Sequence, residues 1–202
     1  MLWPWSSPAS LISLRGHRLL LRLPQMGDYD AWYALRRGSR DFLRPFEPRW
    51  TEADLARQVF INRVKRARQE VEEGTDYSFF IFSGEGRAED IVGGITLSNV
   101  RRRAAQFVNL GYWMGQQYAG QGIMSEAVSV CLPFVFDTLD LHRIHAAFLP
   151  GNVPSRRVLE KNGFVEEGFA EKYLQINGRW EDHVLFGMTR ERYELHRAAN
   201  RR

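Results

Sequence analysis

An uncharged run of 22 residues, AAQFVNLGYWMGQQYAGQGIMS, lies between Arg103 and Glu126. Its apolar first half is typical of a strand, its glycine-rich middle of a tight turn and its end of a helix start. A glycine loop that opens a helix can direct several backbone N–H groups to one point, where the helix dipole adds positive potential. The run therefore predicts a strand, an anion-binding loop and a helix, with a pyrophosphate as the ligand.

Two common nucleotide-binding motifs fail at this loop. The spacing of Gly115 and Gly120 imitates a Walker loop, but Gln121 and Gly122 stand where that loop needs Lys and Ser or Thr. The dinucleotide motif G-x-G-x-x-G fails because Ser125 replaces its third glycine, and no strand with a ribose-binding carboxylate follows about 20 residues on. The loop therefore disfavours ATP, GTP and nicotinamide cofactors. A strand-turn-helix without a ligand is the alternative interpretation.

The length and composition predict one globular domain. The chain has 202 residues, of which 44% are hydrophobic and 26% charged, enough for a substantial core. We expect a loose N-terminal arm at 1–14, the domain at 15–193 and a basic tail at 194–202. Neither a signal peptide nor a membrane span is expected, because the first residues lack a basic region and the uncharged run is rich in Gly, Gln and Asn.

The cysteine and charge content indicate the cellular compartment and the classes of binding partner. The single Cys131 excludes an internal disulfide framework and has no Cys or His partners at zinc spacing, so we expect no metal and a cytoplasmic location. A net charge of +4 permits contact with RNA or an anionic cofactor but does not predict sequence-specific DNA binding. The basic cluster 101–103 predicts a solvated hairpin tip, with contact to ribosomal RNA as the alternative.

Hydrophobic periodicity predicts the element order β-α-α-β-β-β-α-β-α-β-β. The three strands before the glycine loop form an antiparallel meander, and Pro133 kinks the helix after it. The predicted strands lie at 17–23, 77–83, 91–100, 106–114, 143–149 and, as a pair around the turn 176–179, within 164–193. The predicted helices begin at Asp28, at Thr51, after the glycine loop and at Asn152. An apolar stripe marks the second helix: Leu55, Val59, Val64, Ala67 and Val71.

The pattern Q-x-x-G-x-G after an apolar strand resembles the acetyl-CoA loop of the GNAT superfamily of N-acetyltransferases. Three further segments, at 41–50, 152–164 and 173–186, are similar to the Rim-type ribosomal-protein-alanine N-acetyltransferases. These segments read DFLRPFEPRW, NVPSRRVLEKNGF and YLQINGRWEDHVLF. The likeness implies an α/β (α+β) GNAT fold, in which helices flank a mixed, mostly antiparallel sheet that splays at the acetyl-CoA loop.

The resemblance also implies a cofactor site for acetyl-CoA as cosubstrate. The glycine loop would hold the pyrophosphate, the strand before it would offer edge groups to the pantetheine through a bulge, and Asn152 and Arg156 would flank the pantetheine arm. For Asn152 and Ser155 the alternative role is helix capping. The implied loop and strand residues are Trp113, Met114, Gln117, Ala119, Gly120, Gln121, Gly122 and Ile123.

The chain departs from the family at both proton-transfer positions. Many relatives place a tyrosine, the proton donor to the leaving thiolate, where Leu159 stands here, so we expect Ser155 to serve instead, with Tyr173 as the alternative donor. Many relatives also place a glutamate base where this chain has Asn109. Asn109 cannot accept a proton, but it can hold a water chain that does.

The missing base favours an α-amine as acceptor. An α-amine with a pKa of about 7.7 to 8.0 is roughly a tenth neutral at pH 7, whereas a lysine near 10.4 is neutral in only a few parts per ten thousand. We expect Glu47 to meet the ammonium of a basic peptide, with Trp50 as an apolar wall. Glu126 is expected to cap or pair locally, and His183 to make a structural hydrogen bond.

The function expected from the resemblance is acetylation of the N-terminal α-amine of a small-subunit ribosomal protein, with transient ribosome contact and no membrane. Two alternatives stay open. A small amine such as an aminoglycoside or polyamine could be the acceptor, and a deep pocket lined by acids would favour it. The chain could also be a non-catalytic acetyl-CoA-binding factor in ribosome assembly, as the changes at Asn109 and Leu159 would allow.

Overall fold

The computed structural model describes residues 12–83 and 90–200. The strands are β1 Ser13–Arg15, β2 Leu19–Arg22, β3 Tyr77–Ser83, β4 Asp90–Arg101, β5 Phe107–Met114, β6 Arg143–Phe148, β7 Val165–Ile176 and β8 Arg179–Thr189. The α-helices are α1 Tyr29–Gly38, α2 Arg40–Leu43, α3 Arg57–Glu73, α4 Ile123–Pro133, α5 Val153–Lys161 and α6 Arg190–Ala199.

The strands form one sheet in the order β1-β2-β3-β4-β5-β6-β8-β7. All neighbouring strands are antiparallel except β5 and β6, which are parallel. The predicted meander of β3, β4 and β5 is confirmed, as is the mixed, mostly antiparallel sheet. The parallel pairing of β5 with β6 follows from the crossover through α4, since a parallel neighbour needs a connection that returns to the same end of the sheet.

Each face of the sheet has its own core, because side chains alternate across a strand. One core packs α4 against the sheet around Val108, Leu110 and Val128. The other packs Trp32 of α1 and Phe60 of α3 against the sheet. Thus β5 contributes even-numbered residues to the first core and Trp113 to the edge of the second.

The start of the second predicted helix differs from the structure. Thr51 begins a 3₁₀ turn, Glu52–Leu55, and α3 starts only at Arg57. After the break at Ala56, Val59 is 40% exposed and Phe60 is buried in its place, whereas Val64 and Ala67 of the predicted stripe are buried. Gly74, with a φ of 69°, ends α3 as predicted.

Both predicted chain ends also need correction. Ser13 and Leu14, assigned to a loose arm, pair with β2, and Ile12 packs against the core, while residues 1–11 lie outside the described residues. Much of the predicted basic tail, and the end of the last predicted strand, belong to α6 instead. The buried Tyr193 anchors this helix by stacking on Phe136, with 4.7 Å between the ring centroids.

The sheet opens beside the glycine loop. The pairing of β5 with β6 ends at Leu110 and Ala146, although β5 continues to Met114. The gap between the two strands beyond these residues is called the splay below. Beyond the loop, α4 ends at Pro133, and a π-helical turn follows over Phe134–Thr138, so the predicted kink at the proline is a change of helix type.

No helix within 12–83 and 90–200 has the length and apolar character to cross a membrane.

Candidate active site

The open edge of β5 supplies unpaired main-chain groups. The Gly115 N–H donates to the Val92 carbonyl of β4 at 2.9 Å. Because N–H groups alternate in direction along a strand, the Trp113 N–H also faces β4, while those of Tyr112 and Met114 face the side that β6 has left. The predicted bulge is absent from this stretch, where the β4–β5 register is continuous. The divergence of β6 leaves the amides unpaired instead.

The glycine loop has the backbone shape that an anion site requires. Gly120 and Gly122 have φ values of 76° and 77°, which non-glycine residues rarely adopt. Gly122 is the N-cap of α4, and no side chain caps that helix. The N–H groups of the first turn therefore remain available at an exposed loop. Gln121 braces the loop, since its side-chain amide donates to the Gln117 carbonyl at 2.9 Å.

A guanidinium that the sequence did not reveal stands beside this loop. Arg18 Nε lies 3.0 Å from a carboxylate oxygen of Glu126, and the Arg18 N–H donates to the other oxygen at 2.8 Å. One Arg18 nitrogen lies 4.0 Å from the position that a Cβ on Gly122 would occupy. The expectation that Glu126 caps or pairs locally was wrong, because its partner Arg18 is 108 residues away. Such separation leaves no local sequence signal.

Ser155 meets a second hydroxyl, that of Tyr112. The two hydroxyl oxygens lie 2.7 Å apart, and Ser155 is only 8% exposed. Burial raises the pKa of Tyr112 to about 12, against the opposing effect of the hydrogen bond to Ser155. Tyr112 therefore keeps its proton at neutral pH. Tyr112 lies two and four residues after Leu110 and Val108, and side chains at this spacing on a strand share a face, so the sequence could have placed Tyr112 on the side of the sheet where α5 packs.

The asparagine at the start of α5 is a helix cap. The Asn152 side-chain oxygen accepts the Ser155 N–H at 3.1 Å, which fixes the first turn of the helix and with it the Ser155 hydroxyl. Leu159, one turn later, is 1% exposed and packs in the core. Leu159 therefore packs in the core at the position where many relatives carry a tyrosine.

Two other predicted residues have partners elsewhere. Arg156 lies 2.8 Å from Glu166 and 3.4 Å from Glu160, and its guanidinium stacks over Phe186. Tyr173 is 47% exposed on β7, with its ring 5.7 Å from that of His183. The side-chain contacts of the described residues bring neither Arg156 nor Tyr173 to the Ser155 hydroxyl.

Asn109 has a titratable neighbour that the sequence analysis did not single out. It pairs in register with His145 of β6, so the two side chains project from the same face just below the splay. The His145 ring packs edge-on against Phe107 at 4.8 Å. Burial, and then the nearby Arg143, lower the pKa of His145 below its usual value, so the imidazole is neutral and able to accept a proton.

A stack of one arginine and two tryptophans lies on this same face. The Arg36 guanidinium is 4.8 Å from the Trp113 ring centroid and 5.0 Å from that of Trp50. Its nitrogens donate to both oxygens of Glu47 at 2.8 and 3.0 Å, and the Trp50 indole also donates to Glu47. Glu47 and Trp50 do lie together, but Arg36 already compensates the Glu47 charge.

Elsewhere in residues 12–83 and 90–200, no three His, Cys, Asp or Glu side chains are grouped to hold a metal ion. Cys131 lies in the core, where burial raises the pKa of its thiol. His183 is buried and hydrogen-bonds the Glu181 carbonyl at 2.9 Å through Nδ1, the structural role expected of it.

The chain is similar to known acetyltransferases along most of its length. Residues 18–165 match the family described as Acetyltransferase (GNAT) domain. The chain is 34% identical over 175 residues to a probable N-acetyltransferase, YjcK, of Bacillus subtilis, covering 87% of this chain and 96% of that one. It is also 34% identical over 183 residues to the [ribosomal protein uS5]-alanine N-acetyltransferase of Escherichia coli, covering 88% and 91%.

A solved structure agrees with this similarity. RimJ of Mycobacterium smegmatis, in complex with CoA-disulfide, has 31% sequence identity to the chain and superposes with a TM-score of 0.84. The match covers 96% of this chain and 97% of that one. The splayed sheet and the glycine loop therefore belong to a fold that binds CoA in a relative.

Proposed function

The chain belongs to the GNAT family of acetyltransferases, and we propose that it transfers acetyl from acetyl-CoA to the N-terminal α-amine of a ribosomal protein. The relatives named for this activity support the proposal, because the match covers nearly the whole length of both chains. A transient contact with the ribosome, at the site where the acceptor is held, is part of the same proposal, as is a cytoplasmic location.

The surface beside Trp50, where we place the acceptor, is the observation that favours a peptide over a small polyamine. The two clefts beside Trp50 have volumes of about 240 and 230 Å³. Arginines are their most numerous lining residues, and the carboxylate nearest the stack, Glu47, is bonded to Arg36. A polycationic acceptor such as a polyamine needs several free carboxylates, which these surfaces lack. An open cleft with a neutralised carboxylate suits the end of a peptide better.

For the cosubstrate, we assign the pyrophosphate to the main chain of the loop, Gln117, Ala119, Gly120, Gln121, Gly122 and Ile123. The uncapped first turn of α4 supports this assignment. The Met114 amide faces the splay and suits the pantetheine, while the Trp113 ring forms the wall toward the acceptor. Arg18 adds a cation that no motif predicted. Asn152 acts by fixing the helix start, and Arg156 contributes at most at the rim.

Acetyl-CoA supplies the thioester that the neutral amine attacks, and the residues of the splay handle charge and protons. The β5 amides that face the gap can donate hydrogen bonds to the carbonyl oxygen as it gains negative charge. Ser155, with Tyr112 behind it, donates a proton to the departing sulfur, and the Tyr112 hydroxyl can resupply Ser155. Tyr173 remains the alternative donor.

The attacking amine must also lose a proton during the transfer. Asn109 holds a water at the base of the splay, and the neutral imidazole of His145 beside it can take the proton from that water. The lowered pKa of His145 supports this role. The amide alone could orient the water, but it could not accept the proton.

A single experiment separates the candidate functions. The protein is given acetyl-CoA and a peptide that carries a free N-terminal alanine and one internal lysine, and the product is mapped by mass spectrometry. We expect acetylation of the α-amine to exceed that of the lysine by far, since far more of the α-amine is neutral near pH 7. Predominant lysine modification would contradict the proposal, and so would rapid turnover of a polyamine or aminoglycoside with an inert peptide. The absence of any turnover would favour a non-catalytic factor.

A further inference from the structure

The larger of the two clefts beside Trp50, here called the arginine cleft, has three arginines and no carboxylate in its lining. Its volume is about 240 Å³, which is the size of one or two side chains rather than of a whole cofactor. Its lining residues are Arg40, Arg44, Pro48, Arg49, Trp50 and Asn177.

The positive charge of the arginine cleft is only partly compensated. Arg40 lies 3.5 Å from Glu52, in an ion pair whose two side chains are about half exposed. Among the residues that the structure describes, neither Arg44 nor Arg49 lies within 4.0 Å of a carboxylate, and both are exposed. Two guanidinium groups therefore line one small concave surface without a carboxylate partner from the described residues, and their charge attracts an anion.

The arginine cleft adjoins the place where the acceptor amine must arrive. Trp50 forms part of its wall and shares the Arg36 guanidinium with Trp113, the strand residue beside the splay. The turn between β7 and β8 contributes the other wall, since the Asn177 N–H donates to the Glu47 carbonyl at 2.9 Å. A chain leaving the splay along this face would pass the cleft within a few residues.

We propose that the arginine cleft binds a carboxylate side chain of the acceptor, about three to five residues after the acetylated N-terminus. This inference rests on the proposed function and adds a sequence preference to it. The Arg36 guanidinium lies 4.8 Å from the Trp113 ring centroid and 5.0 Å from that of Trp50, so the two rings are at most about 10 Å apart. An extended chain advances about 3.3 Å per residue and passes such a stack in about three residues, which puts the third to fifth residue at the cleft. A planar guanidinium binds a carboxylate through two parallel hydrogen bonds, which gives direction as well as attraction.

A carboxylate fits this surface better than a nucleic acid backbone does. Glu47, Glu52 and Asp54 lie around the arginines, and they would repel a polyanion that needs a continuous positive stripe. A single carboxylate held between Arg44 and Arg49 avoids them. The basic acceptor peptide expected from the sequence is also a poor match here, because its lysines would meet these arginines.

The test compares two peptides that differ in one group. Both begin with alanine and carry either Glu or its neutral analogue Gln at the fourth position. We expect kcat/KM to be about tenfold higher for the Glu peptide, and we expect the double variant Arg44→Gln, Arg49→Gln to bring the ratio to about one. The control Arg101→Gln, Arg103→Gln removes two arginines from the end of β4 and the turn after it and should keep the tenfold ratio. CoA affinity and Tm are measured for each variant to confirm that it is folded.

The outcomes separate this inference from the proposed function. Equal rates for the two peptides with the unmodified protein would overturn the inference and leave the function standing. If neither peptide is acetylated, both fail together. If the peptides react equally and a single-stranded RNA dodecamer binds the protein but not the double variant, the cleft is an RNA site and the inference is wrong. A ratio that survives in the double variant places the selectivity elsewhere and also overturns it.

Discussion

The two sides of the splay are built in different ways. The side that we propose for the cofactor is made of main chain from one continuous segment, 112–125, with glycines that allow the required φ values. The side that we propose for the acceptor is made of side chains from separate segments: Arg36 from α1, Glu47 and Trp50 from the loop before α3, and Trp113 from β5. A binding site of backbone amides can be recognised from local sequence, whereas one of converging side chains depends on packing.

Substitutions of Ser155 and Tyr112, which lie between the two sides, should have the largest effect on the rate. We expect Ser155→Ala to lower kcat by about 10²-fold with little change in CoA affinity, since a positioned proton donor contributes that much. Tyr112→Phe should lose nearly as much if the two hydroxyls act as one relay, and the double variant should be no worse than Ser155→Ala. Single-turnover kinetics would check this. A Ser155→Ala variant within twofold of the parent would transfer the role to Tyr173 or to solvent.

The cofactor side should be sensitive to backbone shape alone. Gly120→Val places a β-branched residue at a φ of 76°, although nothing lies within 4 Å of its Cβ. We expect CoA binding to weaken at least tenfold, or about 1.4 kcal/mol. The matched control is Gly74→Val, at a φ of 69° at the end of α3, which should lower Tm and leave CoA affinity unchanged. Calorimetry with an unchanged affinity for Gly120→Val would place the pyrophosphate elsewhere.

The base of the splay should respond to pH. The rate with an α-amine acceptor should rise through about pH 7 to 8 as that amine loses its proton. His145, whose pKa is lowered, remains neutral throughout that range, and its loss as an acceptor should appear only as pH falls below the usual histidine value near 6.5. His145→Gln should lower kcat by about tenfold at pH 7.5 and remove that acid limb. A pH profile unchanged by His145→Gln would leave the proton to water held by Asn109.

The acceptor side should show the smallest effect. Arg36→Lys keeps the charge but loses the two-pronged bond to Glu47 and the planar stack between Trp50 and Trp113. We expect the KM for the peptide to rise about threefold, because the tryptophan wall loosens, with CoA affinity unchanged. If Arg36→Lys weakened CoA binding and left the peptide KM alone, the division into two sides would be wrong.

Local patterns were sufficient where neighbours in sequence are also partners in space. The glycine loop, the meander, the Gly74 helix end and the Asn152 cap each depend on residues a few positions apart, and each was found. The helix α6 was missed because a basic amphipathic segment resembles a solvated tail until Phe136 supplies a partner for Tyr193. The predicted stripe of α3 is confirmed at Val64 and Ala67 and was wrong at Val59, because α3 starts only after the break at Ala56 and its first turn buries Phe60 instead.

The amino-acid sequence alone determined the fold family, the glycine loop between β5 and α4, and the absence of the usual base and acid residues at Asn109 and Leu159. Those features lie in contiguous segments, where spacing fixes geometry. Only the tertiary structure decided that Tyr112 meets Ser155, that Arg18 reaches the loop through Glu126, and that Arg36 neutralises Glu47. Each of these pairs joins positions far apart or on different elements, so the contact exists only once the sheet has set the distance between them.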